Sequence, residues 1–286
     1  MNGRGTLLLL SAFTVAQAIG QVVYTVEPLD IRPAATDFAP VLMDSSLVFA
    51  SIRARAQAIS YTDPDTHKPL ADLYRVQLRD GKPGHPQLMA GTLCSKFNDG
   101  PAAFSPSGDT ICFTRNSGAK QGADVLSLFF ATRHGKDWSE PVPFTYNGSD
   151  FSTMGACFSP DGQRLYFASD RPGGQGGMDI YVCRRSDAGW STPMNLGRTV
   201  NSAANEAYPS MQRDGKLYFA SDISGGMGKL DLYSSALAYG EFDTPVALPA
   251  PVNSSGNDIG WTALPDDMSG YFSSDRDGTD QIFRFS

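Results

Sequence analysis

The chain has 286 residues, 19% of them charged and 41% hydrophobic, with 30 acidic against 23 basic side chains and a formal net charge of −7. Such a field repels phosphate backbones, which excludes nucleic acid as a partner. Past the first twenty residues no apolar run approaches the ~20 residues a membrane-spanning helix needs, so no transmembrane segment is expected in the mature chain.

The N-terminus reads as an export signal. Arg4 supplies a positive start, Leu7 to Val15 an apolar core, and Ala16-Gln17-Ala18 a small-residue cleavage site. A cut after Gly20 is the alternative. Residues 1–18 are therefore expected to be removed, placing residues 19–286 in the periplasm or outside the cell.

A core with an aromatic at its centre then recurs five times, around Phe49, Phe113, Phe167, Phe219 and Phe272, spaced 64, 54, 52 and 53 residues apart. Each interval holds four short strands and their turns, the content of one propeller blade. Before each of these B strands lies an A strand, joined to it by a tight turn such as Ser107-Gly108, Asp161-Gly162 or Asp214-Gly215. Glycine accepts the positive φ such a hairpin requires. After it comes a C strand with its own aromatic, Tyr74, Phe129, Tyr181, Tyr233 or Phe283. The D strands carry Pro28, Pro86, Pro141, Pro193 and Pro245, tolerable only at a sheet edge because proline cannot donate to a ladder.

The chain starts with a D element near Val22 to Leu29 and ends in a C element. The expected fold is therefore all-β: one five-bladed propeller over residues 19–286, four antiparallel strands per blade, closed by the N-terminal strand beside the last C strand. That closure removes the exposed edge, and the count leaves no residues for a second domain.

The segment from Phe158 to Tyr233, with FSPDGQRLYFASDRPGGQGGMDIYV and then MQRDGKLYFASD before GGMGKLDLY, resembles TolB-like (WD40-like) β-propeller repeats. Within that group it is most similar to the propellers of periplasmic OmpA-family proteins of Bacteroidota, such as PorE of the type IX secretion system. Phe113-Thr114-Arg115-Asn116 adds to the likeness. The resemblance implies an exported, cell-envelope propeller that binds or scaffolds proteins without catalysis. Those relatives carry a further peptidoglycan-gripping domain, so neither wall anchoring nor membership of the secretion machine is implied here.

An acid recurs ahead of each A strand: Asp37, Asp99, Asp150, Glu206 and Asp258. These five are candidates for a negative collar at the channel mouth that binds a cation, an amine or a basic peptide. The competing expectation is that each accepts backbone N–H bonds from the neighbouring turn and pins blade to blade. A glycoside hydrolase or carbohydrate-binding propeller is the alternative function, since acids in pairs are what such catalysis needs. Against it, the A strands hold no carboxylate in midstrand, and repeat-equivalent acids lack the distinct environments of an acid/base pair.

The long period of blade 1 places its excess between Ile52 and Ala71. Tyr61 and His67 in that loop are candidate partner contacts. His67, His85 and His134 have no metal-ligand spacing, so no metal or cofactor is expected. Asp275 to Asp280 reads as a turn, not a calcium loop. The glycines at 173–177 precede a strand and not the helix a phosphate cradle requires. Cys112, Cys157 and Cys183 fall in strands. Cys157 and Cys183, one strand apart, would put their Cα atoms roughly 9–10 Å from each other, too far for a disulfide. Cys94, in a loop, stays open. The expected partner is an envelope protein, with a glycan as the alternative, bound by a monomer.

Overall fold

The computed structural model describes residues 23–31, 36–54, 62, 67, 69–89, 91–116 and 125–286. The expected signal segment and Tyr61 lie outside them. Within these residues the strands form five antiparallel sheets. The A strands are Thr36–Met43, Asp99–Phe104, Thr153–Phe158, Glu206–Met211 and Asp258–Ala263. They neighbour one another in order around a central channel, blade 5 against blade 1. The chain is a five-bladed β-propeller, as its spacing predicts.

Local chemistry sets the elements. Gly108, Gly162 and Gly215 hold φ of 69°, 68° and 80° at the A–B turns, the left-handed geometry that L side chains resist. Four of the D strands split in two at their prolines, while that of blade 5, Val26–Pro28, is one piece. In blade 3 Gly189–Trp190 and Met194–Asn195 flank Pro193, and both pieces pair with the same C strand, Asp179–Ser186. At the gap the Ser191 hydroxyl accepts the Arg184 N–H at 3.0 Å, replacing the ladder bond that an interrupted strand loses.

The core lies between blades. Cys112, Leu128 and Phe144 of blade 2 pack with Phe158, Leu165 and Phe167 of blade 3. Ile282 and Tyr271 of blade 5 meet Leu47, Phe49 and Tyr74 of blade 1. Each fully buried aromatic or aliphatic side chain is worth about 1.5–3 kcal/mol, so burial holds the blades in a ring.

The closure follows the expectation. Val26–Pro28 pairs with Gln281–Phe285, Val26 opposite Phe285 and Pro28 opposite Phe283. Thr25 N–H donates to the Ser286 carbonyl at 2.8 Å, and Ser286 N–H returns to Thr25 at 3.1 Å. Tyr24 meets Trp261 and Phe285 edge-on at 6.0 and 5.9 Å, so the N-terminal segment is tied in by packing as well as by ladder bonds.

Candidate functional site

Four of the five predicted acids share one register position at the start of an A strand. Asp37, Glu206 and Asp258 face Ser51, Ser221 and Ser274 across the A–B ladder, and Asp99 faces Arg115. Asp150 does not join them. It is exposed in the D–A loop, and Thr153 occupies the register position of blade 3, opposite Ser169. The cause is one extra residue in that loop: Asn147 stands six before Thr153, whereas Asn201 and Asn253 stand five before Glu206 and Asp258.

Nor do the four form a solvent-facing collar. Asp99 and Asp258 are completely buried and Glu206 and Asp37 nearly so. Each of three accepts from the serine four residues upstream. Asp99 takes the N–H and hydroxyl of Ser95 at 2.8 and 2.7 Å, Glu206 those of Ser202 at 2.9 and 2.6 Å, and Asp258 those of Ser254 at 2.6 and 2.9 Å. A buried carboxylate must be hydrogen-bonded or paired, and Asp99 and Asp258 are both. Burial nevertheless raises the pKa of Asp99, with Arg115 as the main opposing influence.

The paired cations were not foreseen. An arginine stands two residues past the B-strand serine in blades 1, 3 and 5, as Arg53, Arg171 and Arg276. In blade 2 Arg115 takes the serine position itself. Arg53 reaches Asp37 at 2.6 Å, Arg115 reaches Asp99 at 2.5 Å and Arg276 reaches Asp258 at 2.8 Å. Arg171, facing Thr153, instead donates to the Tyr146 carbonyl at 3.1 Å. The platform beneath is the repeated aromatic pair. Phe167 stacks on Tyr181 at 6.1 Å and Phe272 on Phe283 at 5.7 Å, with the guanidinium carbons of Arg171 and Arg276 at 4.7–5.4 Å from those rings. Cation–π attraction adds to each ion pair. The sequence signal was the fixed offset Ser-x-Arg after the aromatic core.

Backbone bonds then stitch neighbouring blades at the same end. The Asp37, Glu206 and Asp258 N–H groups donate to the carbonyls of Asp280, Met178 and Leu230 in the preceding blades at 3.0, 2.7 and 2.6 Å. The first of these crosses the closure between blades 5 and 1. A second acid, at the start of strand C, anchors the glycine-rich loops. Asp179 accepts from the N–H groups of Gln175 and Gly176 and from Asn195, and Asp231 accepts from Met227 and Gly228. A Cβ on Gly226 would lie 1.9 Å from the Asp231 carboxylate. Close approach explains the glycines, and no phosphate is needed.

The other end of the channel is open. All five A strands carry a bulge, and the bulge residues narrow the middle of the channel to a cavity of about 60 Å³. There Tyr208 keeps a left-handed φ of 52°, and burial, with the Asp280 carboxylate adding, pushes its hydroxyl up to about 12. Toward the A–B turns the channel widens to a cavity of about 630 Å³, lined by Met43, Phe104, Phe158, Met211, Gln212 and Arg213 among others. Its carboxylates, Asp44 and Asp267, belong to the turns at its rim.

His67 is exposed with a φ of 57°. Among the described residues no three His, Cys, Asp or Glu side chains are grouped to hold a metal. All four cysteines are free. Cys157 and Cys183 lie on the A and C strands of blade 3, one strand apart, and burial pushes both thiols up to about 12. Cys94 donates to Asp72 at 3.2 Å.

No family model matches the chain, and no curated protein does. Among solved structures it resembles CoXyl43, a GH43 β-xylosidase/α-arabinofuranosidase from a compost microbial metagenome. That match has a TM-score of 0.54 and 10% identity over 91% of this chain and 93% of that one. The β-xylosidase RS223 follows at 0.51 and 12%, over 92% and 94%. TolB from Acinetobacter baumannii matches at 0.47 and 16% over 85% of this chain. The chain spans about half the length of that protein, 52%. At such identities the xylosidase likeness establishes the architecture alone: a five-bladed propeller.

Proposed function

We propose that this chain is an exported cell-envelope propeller that binds a protein partner at the mouth formed by its A–B turns and performs no catalysis. The observation that carries this reading is the difference between the two ends of the channel. At one end the acids are consumed by serines, arginines and backbone. At the other a cavity of about 630 Å³ presents methionine and phenylalanine beside Gln212 and Arg213, the mixture of apolar wall and few polar groups that binding sites use. Met268 and Tyr239, 74% and 108% exposed, stand on turns at that same end of the blades, where they supply apolar anchors.

In this reading Asp37, Asp99, Glu206 and Asp258 are blade clamps, and the long loop of blade 1 with Tyr61 and His67 is a second contact. A glycosidase would need two carboxylates about 5–9 Å apart with divergent environments and within reach of a substrate, whereas Asp37, Asp99, Glu206 and Asp258 are all buried. Residues 1–18 serve as the export signal and residues 19–286 as one monomeric domain. The repeat resemblance to periplasmic OmpA-family propellers supports the envelope setting.

The test is capture from an envelope fraction with the wild type, Arg213→Glu, Met211→Asp and a deletion of residues 54–69. Both mouth variants should lose the captured protein, Arg213→Glu at unchanged melting temperature and Met211→Asp, whose side chain packs against the core of blades 3 and 4, at a lower one, and the deletion should weaken capture. Full retention by both mouth variants removes the mouth reading. Saturable binding or hydrolysis on a glycan panel replaces it with the carbohydrate reading.

A further inference from the structure

Blade 4 departs from its neighbours at one position. Where blades 1, 3 and 5 place Arg53, Arg171 and Arg276, it has Ile223. Its aromatic platform is intact, Phe219 stacked on Tyr233 at 6.0 Å and 20°. Its anions are intact too. Glu206, Ser221 and Asp231 lie side by side across strands A, B and C, Glu206 opposite Ser221 and Ser221 opposite Asp231, so the three side chains share one face of the sheet. Both acids are 1% exposed. Among the described residues, neither pairs with a cation, and Asp231 Oδ1 has no hydrogen-bond partner.

Glu206 is one methylene longer than the aspartates of the other blades. Like Asp37 with Ser51 in blade 1, it accepts from the B-strand serine, here the Ser221 hydroxyl at 2.9 Å, in addition to its two bonds from Ser202. This satisfies oxygen atoms but leaves the charge uncompensated. Burial, then Asp231, then Glu206 raise the Tyr233 pKa, as expected if both carboxylates reach the space above that ring. In the other blades this space is filled by an arginine whose side chain reaches the surface: Arg53, Arg115 and Arg276 are 18%, 13% and 17% exposed. Two apolar residues of the blade 4 loop, Ile223 and Met227, stand 41% and 54% exposed nearby, an uncommon arrangement on a glycine-rich turn in water and one that suits contact with another macromolecule.

We propose that blade 4 holds an acceptor site for a guanidinium group carried by another protein, bounded by Phe219, Tyr233, Glu206, Ser221 and Asp231. An arginine is favoured over a lysine because the four internal precedents are all arginines. Its planar fork stacks on a ring while donating to carboxylate and hydroxyl together. In blade 5 Arg276 also donates to the carbonyls of Pro251 and Val252 at 2.8 and 2.6 Å, and the corresponding carbonyls in blade 4 are those of Thr199 and Val200. The site lies at the end of the blades opposite the proposed partner mouth, so it stands or falls independently of that reading.

The test is an NMR titration of the full mature chain with N-acetyl-arginine methylamide, alongside its lysine and citrulline counterparts. Saturable shifts at Phe219, Ser221 and Tyr233 are expected with the arginine probe, and at least about tenfold weaker binding with citrulline. Ile223→Arg should fill the site from within, raising the melting temperature by a few degrees and abolishing probe binding. Glu206→Gln keeps the hydrogen-bonding shape but removes the charge, so it should weaken probe binding even if the new arginine of the first variant is poorly accommodated. The inference is overturned if the wild type shows no saturable shifts, if both variants bind the probe as the wild type does, or if calcium chloride saturates the site and displaces the probe.

Discussion

Blades 4 and 5 share one framework and differ within it at three positions: Ile223 stands for Arg276, Glu206 for Asp258 and Asp231 for Gln281. Both run from a buried acid on strand A through a serine on strand B to the C strand, both stack two aromatics beneath, and both hold an asparagine five residues before the acid. In blade 5 Arg276 turns this into a closed ion pair, with Ser274 accepting from the guanidinium at 2.8 Å. In blade 4 Ile223 stands instead, and Ser221 becomes a donor to a longer acid. The comparison teaches that the shared framework is set by backbone stitching and aromatic burial. The charge on top of it is a variable that one side chain can leave open.

Substitutions can break that comparison in order of expected size. Asp258→Asn leaves Arg276 partly buried without its counter-charge, and removing one partner of a buried pair costs about 3–5 kcal/mol. Denaturant titration measures it. Asn253→Ala comes next: its amide accepts from Leu232 N–H at 2.7 Å and donates to the Leu232 and Leu248 carbonyls at 3.0 and 2.8 Å. Stranding those groups should cost about 2 kcal/mol. Glu206→Gln strands no cation, so its loss should be only about 1 kcal/mol, and a loss as large as that of Asp258→Asn would erase the distinction between the blades.

The smallest effect is in the pH profile. Hydrogen bonds from Thr110, Ser159 and Ser269 hold the exposed turn carboxylates Asp109, Asp161 and Asp266 below the ordinary range. Their stabilisation is fully present above the unfolded value near ~3.9 and is lost as pH falls through their lower folded values. Asp99 works in the opposite sense. Its folded value is raised by burial, so its penalty is complete above that value and fades as pH falls toward the ordinary one. Melting temperature followed through the acid limb should therefore fall less steeply in Asp161→Asn than in the wild type.

The architecture was legible because each blade repeats a complete local instruction: an aromatic core at a steady spacing, a glycine where a hairpin needs positive φ, a proline where an edge tolerates it. The closing strand was legible by counting. The acids were only partly so. Asp150 is the nearest acid before its A strand, but equivalence is fixed by cross-strand register, and an extra loop residue moves that register to Thr153. Burial also could not be read from composition, because four acids that look like a polar collar become internal once the strands close around them. The arginines that meet three of them border loops and glycines, where the eye finds a turn, and their contact with the acid exists only after the strands are laid side by side.

The claim that the acids at the start of the A strands are clamps of the fold is tested most directly by a double-mutant cycle on Asp258 and Arg276, using Asp258→Asn and Arg276→Met with denaturant unfolding. The account predicts a coupling of at least about 1 kcal/mol, in the range expected for residues in direct contact. Strictly additive losses would mean that the two side chains do not hold each other, and that the carboxylate is kept for something outside the propeller.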